Sequence, residues 1–141
     1  MANDLNTVSM LGQAYSLLGF QIVDGVVGAG YPHKPKHSAV FAQISPDGSR
    51  LTELARKANM TPQSMAELVD ELVDMGYVGR RPDPNDGRAK LIVLTKRGRG
   101  AVAAGRQTIE GLEKQVTEIL GERGHRELRR LLSKLLDATN T

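Results

Sequence analysis

The sequence predicts a mainly α-helical chain with a single small β-hairpin. Three observations lead there. Hydrophobic residues make up 40% of the chain but aromatics only 4%, with no Trp, so any core is built from Leu, Val, Ile, Ala and Met. That composition suits helices packed on helices better than a β-sandwich. Two short amphipathic segments meet at a tight break around Asn59 to Pro62, and a run dense in turn residues, 82–87, separates two strand-like stretches. A length of 141 residues fits one compact domain with helical extensions.

Residues 5–26 carry Val8, Leu11, Tyr15, Leu18 and Ile22 at alternating steps of three and four, the seam of an amphipathic helix. Gly25, Gly28 and Gly30 end it, and Pro32 and Pro35 mark a loop. A short helix is expected over about residues 35–44, with Val40, Phe41 and Ile44 inward. Ser45-Pro46-Asp47-Gly48 reads as a turn, with Pro setting φ and Gly permissive after it.

Leu51, Leu54, Ala55 and Ala58 form one face of a helix over residues 51–58, and Asn59-Met60 breaks it. Thr61 is a good N-cap, and Pro62 occupies the first helical position, where a missing N–H costs nothing. The apolar face continues through Met65, Leu68, Val69, Leu72 and Met75 to a stop at Gly76. Residues 77–81 and 91–94 then read as paired strands around the polar tip 82–87. Two short helices with a tight break, followed at once by such a hairpin, make a winged helix-turn-helix. Beyond Thr95, a possible cap, Val102, Ile109 and Val116 recur every seven residues, as do Gly105, Leu112 and Ile119. Gly121 and Gly124 are expected to break this pattern before a last amphipathic helix carrying Leu128, Leu131, Leu132, Leu135 and Leu136.

Several function classes fall away. Without cysteine there is no disulfide framework, thiolate metal site or thiol redox chemistry. No apolar run reaches the length of a membrane span, and the polar start, Met1 to Asn6, does not read as a signal peptide; a cytoplasmic protein without membrane contact is expected. No glycine-rich phosphate loop follows a strand, and no Ser-His-acid or paired-carboxylate arrangement stands out, so neither enzymatic activity nor a cofactor is expected. His33 and His37 adjoin no carboxylate cluster, which leaves no metal site in view. Met60, Met65 and Met75 read as core fillers.

The charge is unevenly spread. The whole chain carries a formal +3, yet the segment from Arg80 to Arg99 holds Arg80, Arg81, Arg88, Lys90, Lys96, Arg97 and Arg99 against Asp83 and Asp86, a local +5. A basic hairpin beside a helix-turn-helix points to double-stranded DNA. At the exposed start of the second helix, Gln63, Ser64, Ala66 and Glu67 would face a major groove, where Gln reads adenine and Glu accepts from cytosine N4. Thr61 and Ser64 can bond phosphates at the helix N-terminus. The alternative is a capped helix with a solvated face. Glu67, Asp70, Glu71 and Asp74 are acids, and residues 61–75 contain no base. Repulsion from phosphate should then shift affinity onto the wing and onto Lys96, Arg97 and Arg99, which either approach DNA or are merely solvated.

The stretch Arg50-Leu51-Thr52-Glu53-Leu54-Ala55, then Met60-Thr61-Pro62-Gln63-Ser64-Met65 and Gly76-Tyr77-Val78, resembles the MarR family of bacterial winged-helix regulators. The likeness continues through Arg81-Pro82-Asp83-Pro84-Asn85-Asp86-Gly87-Arg88-Ala89-Lys90 and Leu94-Thr95-Lys96-Arg97-Gly98. The resemblance implies a winged helix-turn-helix over residues 31–99, flanked by N- and C-terminal dimerisation helices at 1–30 and 100–141, in one compact domain overall. It implies a homodimeric repressor on a palindromic operator, often released by a small-molecule effector. It implies that Arg88, at the wing tip, enters the minor groove and that Asp86 orients it, consistent with the negative potential of a narrow groove. Many members have a base where this chain has Glu67. It also implies a ligand pocket that Tyr15, Phe20, His37 and Phe41 could line, although packing at a helix junction accounts for each of them as well. A winged helix used for protein–protein assembly without DNA is the competing reading; it would have no need of the basic wing.

Overall fold

The computed structural model describes residues 4–139. Its elements are α1 (Thr7–Gly28), a 3-10 turn (Pro35–His37), α2 (Ser38–Phe41), α3 (Leu51–Lys57), α4 (Pro62–Asp74), β1 (Val78–Asp83), β2 (Asp86–Leu94) and α5 (Lys96–Thr139). This is a mainly helical winged helix-turn-helix with flanking helices, as the sequence predicts. The chain divides into two compact units, residues 1–106 and 107–141.

In the first unit, the start of α1, the end of α3 and both ends of α4 have local causes. Asn6 caps α1, its side-chain oxygen accepting the Ser9 N–H at 2.8 Å. Thr61 caps α4 in the same way through the Ser64 N–H at 3.1 Å, and Pro62 follows at the first helical position. Asn59, at φ +55°, makes the break between α3 and α4, a conformation that Asn tolerates better than most residues. Gly76, at φ +83°, ends α4.

The expected helix over residues 35–44 is shorter. Only a 3-10 turn and four α-helical residues form, because the chain must turn at Ser45, whose N–H is taken by Ser49 Oγ at 2.9 Å. Ser49 then exchanges both backbone hydrogen bonds with Ile92, at 2.8 and 2.9 Å, laying the 45–49 segment along β2. Gly48 sits flat on that strand at φ +99°; a Cβ there would press to 2.9 Å from Val93 Cγ1.

The hairpin also differs from expectation at its tip. β1 runs on through Asp83 and β2 begins at Asp86, so only Pro84 and Asn85 lie outside the strands. Pairing runs from Val78 with Leu94 to Pro82 with Lys90, then shifts register so that Asp83 faces Asp86. Asp83 closes this reversal by accepting the Asn85 N–H at 2.9 Å. Arg88 is therefore on β2, two residues past its start, rather than at the tip.

The core of this unit lies under α3, α4 and the hairpin. Leu54, Met65, Val69 and Leu72 are fully buried, with Val40, Tyr77 and Ile92. Burial of each such aliphatic side chain contributes roughly 1.5–3 kcal/mol before entropy is counted. The same face that fills the core leaves Gln63, Ser64, Glu67 and Asp70 outward on α4. Thr95 joins α4, the hairpin and α5: its hydroxyl donates to the Gly76 carbonyl at 2.6 Å and accepts the Gly98 N–H at 3.1 Å. Gly98 is buried against the Tyr77 carbonyl, where no Cβ fits.

Within the second unit, residues 107–139 are helical except at Gly121, whose φ of 77° and ψ of 163° break α5 in two. The expected second break at Gly124 is absent: that residue lies inside the helix without a positive φ. His125 bridges the break, its Nε2 3.0 Å from Glu113 Oε2 and its Nδ1 2.8 Å from Thr117 Oγ1. No helix among the described residues is long and apolar enough to cross a membrane.

Candidate nucleic-acid interface

Three exposed elements of the first unit present the DNA-contact candidates: the start of α4, strand β2 and the start of α5. At the first, Thr61 Oγ1 donates to Ser64 Oγ at 3.0 Å while capping the helix, so both hydroxyls are fixed at the N-terminus beside exposed Gln63. Glu67 lies one turn further along the exposed face.

The acids of α4 are less of an obstacle than the sequence suggests. Glu71 takes Lys36 Nζ at 2.8 Å on one oxygen and His37 Nε2 at 2.7 Å on the other. Hydrogen bonds first from Lys36 and then from His37 hold its carboxyl below the usual range. Asp70 pairs with Arg80 of β1 at 2.5 Å. Among the described residues, Glu67 and Asp74 alone of the four make no ion pair. Half of the helix's negative charge is thus offset by neighbouring elements, which a one-dimensional count over 61–75 cannot register.

On the wing, Arg88 and Lys90 are exposed. Asp86 does not hold the Arg88 guanidinium; its Oδ1 accepts the Arg88 backbone N–H at 3.1 Å. The guanidinium beside the acids belongs to Arg50, the residue preceding α3. Its Nε and Nη2 donate to Asp83 Oδ2 at 3.0 and 2.8 Å, and Nη2 lies 3.9 Å from Asp86 Oδ2. Asp83 is buried, and the Asn85 N–H followed by Arg50 keeps its carboxyl below the ordinary range. Sequence reading missed Arg50 because its partner stands 33 positions away. The Asp83-Pro-Asn-Asp spacing signalled a turn but not the cation that the turn requires.

At the third element, Lys96 is exposed while Arg97 packs over Tyr77, its Cζ 4.7 Å from the ring centroid and Nη2 3.3 Å from the phenol oxygen. Tyr77 is buried, and its hydroxyl donates to the Pro32 carbonyl at 2.6 Å. Arg97 is therefore held on the protein surface by a residue that reads as a strand aromatic in the sequence.

The four ligand-pocket candidates are not gathered in one place. Tyr15 is exposed and lines an open groove of about 600 Å³ with Lys36, Ser38, Lys57, Ser64 and Glu67. His37 is buried, its Nδ1 accepting the Lys34 N–H at 3.0 Å and its Nε2 facing Glu71. Phe41 stacks edge-on between His33 and Tyr77, with centroids 5.4 Å from each. Phe20 is exposed on α1, outside the groove.

Residues 47–90 match the model of the MarR family, the span that runs from the turn before α3 to Lys90 on β2. The HTH-type transcriptional repressor Rv2887 of Mycobacterium tuberculosis is 34% identical over 88 residues, which are 62% of this chain and 63% of that protein. The match therefore spans less than two thirds of that relative. Its solved structure in complex with salicylic acid is 27% identical, with TM-score 0.65, over 96% of this chain and 99% of the other. A probable transcriptional regulator from Pseudomonas aeruginosa aligns with TM-score 0.74 and 26% identity over 94% and 98% of the two chains. A mutant MarR from E. coli complexed with operator DNA shares the fold, with TM-score 0.74 and 22% identity over 91% of each chain. The family and these relatives are transcriptional regulators rather than enzymes.

Proposed function

We propose, proceeding from the MarR-family domain that residues 47–90 carry, that this chain is a homodimeric transcriptional repressor of a palindromic operator. The start of α4 enters the major groove, with Gln63, Ser64 and Glu67 toward base edges and Thr61 toward phosphate. Arg88 of the wing enters the minor groove, Asp86 setting its backbone, while Lys90, Lys96 and Arg97 face the flanking phosphates. The single observation that carries this reading is the pairing of charge: Glu71 and Asp70 are offset internally, while Arg88 and Lys90 stay exposed. The reading puts the protein in the cytoplasm with the chromosome and gives it no catalytic role.

Dimerisation is supported by apolar side chains left in the open. On α1, Val8, Leu17 and Tyr15 are exposed, and so are Ile119 and Leu136 on α5. Such seams call for a partner, and residues 4–30 and 100–139 carry them. Sedimentation at micromolar concentration should then give twice the monomer mass; a monomer removes the dimer from the proposal. Release of DNA by a small aromatic acid is the regulation suggested by the salicylic acid complex of Rv2887.

The deciding experiment is binding to mixed genomic DNA and to the gene's own upstream region at two salt concentrations. Phosphate contacts should make affinity fall steeply with salt, with a protected palindrome upstream. Absence of binding even at low salt overturns the proposal.

A further inference from the structure

We propose that Arg50 is the positioning residue of the wing, acting on DNA only through Arg88. The inference rests on the reading of the wing given above.

Asp83 ends β1 as a buried carboxylate, and burial of an unpaired charge is costly. Its cation comes from outside the hairpin. Arg50, at the N-terminus of α3, approaches Asp83 Oδ2 with both Nε and Nη2, a two-donor grip that a lysine cannot reproduce. The hairpin tip is thereby tied to the first helix of the helix-turn-helix. Asp86 stands opposite Asp83 in the register, 3.9 Å from the same guanidinium, and its other oxygen holds the Arg88 N–H at 3.1 Å. Two contacts in series, Arg50 to Asp86 and Asp86 to the Arg88 N–H, thus run from the start of α3 to the backbone of Arg88, with Asp83 anchoring the guanidinium.

The charges reinforce the geometry. Asp83 and Asp86 flank the reversal closest to Arg88. Unpaired, they would attract the Arg88 side chain inward and repel phosphate. Arg50 neutralises Asp83 and draws Asp86 partly toward itself, leaving one net negative charge across the three groups, and Arg88 itself makes no ion pair among the described residues. Arg50, in contrast, already has its guanidinium committed to the protein.

The test is a double-variant cycle on short duplexes that the wild-type protein enriches from a random-sequence library. Arg50→Gln is expected to weaken binding at least about tenfold, close to the loss for Arg88→Ala, the scale of one groove contact. Combining the two should add less than about twofold to Arg88→Ala alone, since residues acting in series are not additive. Hydrogen exchange separates positioning from general loosening. In Arg50→Gln the Arg88 amide should exchange faster while Leu54, Val69 and Leu72 keep wild-type protection. Should Arg50→Gln fail to fold, Arg50→Lys takes its place, with a smaller loss that again vanishes in the Arg88→Ala background. Losses that multiply would show Arg50 acting on DNA independently and overturn the proposal, as would wild-type affinity in Arg50→Gln. If wild type enriches duplexes and Arg88→Ala binds them normally, the role of Arg88 fails and this proposal with it. If wild type enriches nothing, the DNA-binding reading itself falls.

Discussion

His37 joins the loop before α2 to the middle of α4 through Glu71. Its Nδ1 accepts the Lys34 N–H at 3.0 Å, so Nε2 carries the proton and donates to Glu71 Oε2 at 2.7 Å. The ring is only 2% exposed, whereas the Glu71 side chain is 42% exposed and also meets Lys36. One buried imidazole thus links the Lys34 backbone to the helix that presents Gln63 and Glu67, alongside the core face of Met65, Val69 and Leu72.

Replacing His37 with Ala should destabilise the fold by at least about 2 kcal/mol, from the cavity left and the Lys34 N–H that loses its acceptor. Glu71→Gln should cost less, because water reaches that carboxyl. Urea denaturation checks both; a His37→Ala midpoint equal to wild type would show that the imidazole is not holding α4.

Stability should fall in acid. Glu71 and Asp83 are both held below their ordinary values, by Lys36 and His37 in one case and by the Asn85 N–H and Arg50 in the other. The unfolded chain therefore takes up protons first. The stabilisation is fully present above the ordinary carboxylate range, about pH 4, and is lost as pH falls through the lowered folded values. Denaturation curves between about pH 5 and pH 3 should show Asp83→Asn with a shallower acid slope than wild type. An unchanged slope would mean that Asp83 titrates normally.

Arg88→Ala should weaken operator binding by about 1–3 kcal/mol while leaving thermal stability unaltered, since the side chain is exposed. A titration against wild-type operator gives the number. No loss on an operator that the wild type binds tightly would remove Arg88 from the interface.

Gly98→Ala should lower stability by about 1–3 kcal/mol even though alanine is the better helix former. The added methyl would run into the Tyr77 carbonyl and lie 3.0 Å from Leu94 Cδ2, and backbone at that point cannot swing aside. Thermal melting checks this, and a stabilised variant would show that α5 starts further from the hairpin than described.

The sequence by itself determined the elements and most of their ends. Thr61-Pro62, Gly76 and Pro84-Asn85 act on their own backbone within a few positions, so cap, stop and reversal are legible in one dimension, although the strands reach closer to the reversal than expected. Arg88 was singled out through the resemblance of the wing motif, and the structure leaves it exposed together with Lys90. Tertiary structure alone decided which charges remain available. Lys36 and His37 reach Glu71, Arg80 reaches Asp70, and Arg50 reaches Asp83, across separations of 35, 34, 10 and 33 residues. Ion pairing depends on distance through space, which only packing sets. It was packing that relieved the acidic face of α4 and buried His37, whereas the contact of Asp86 with the Arg88 N–H, two residues apart, is local.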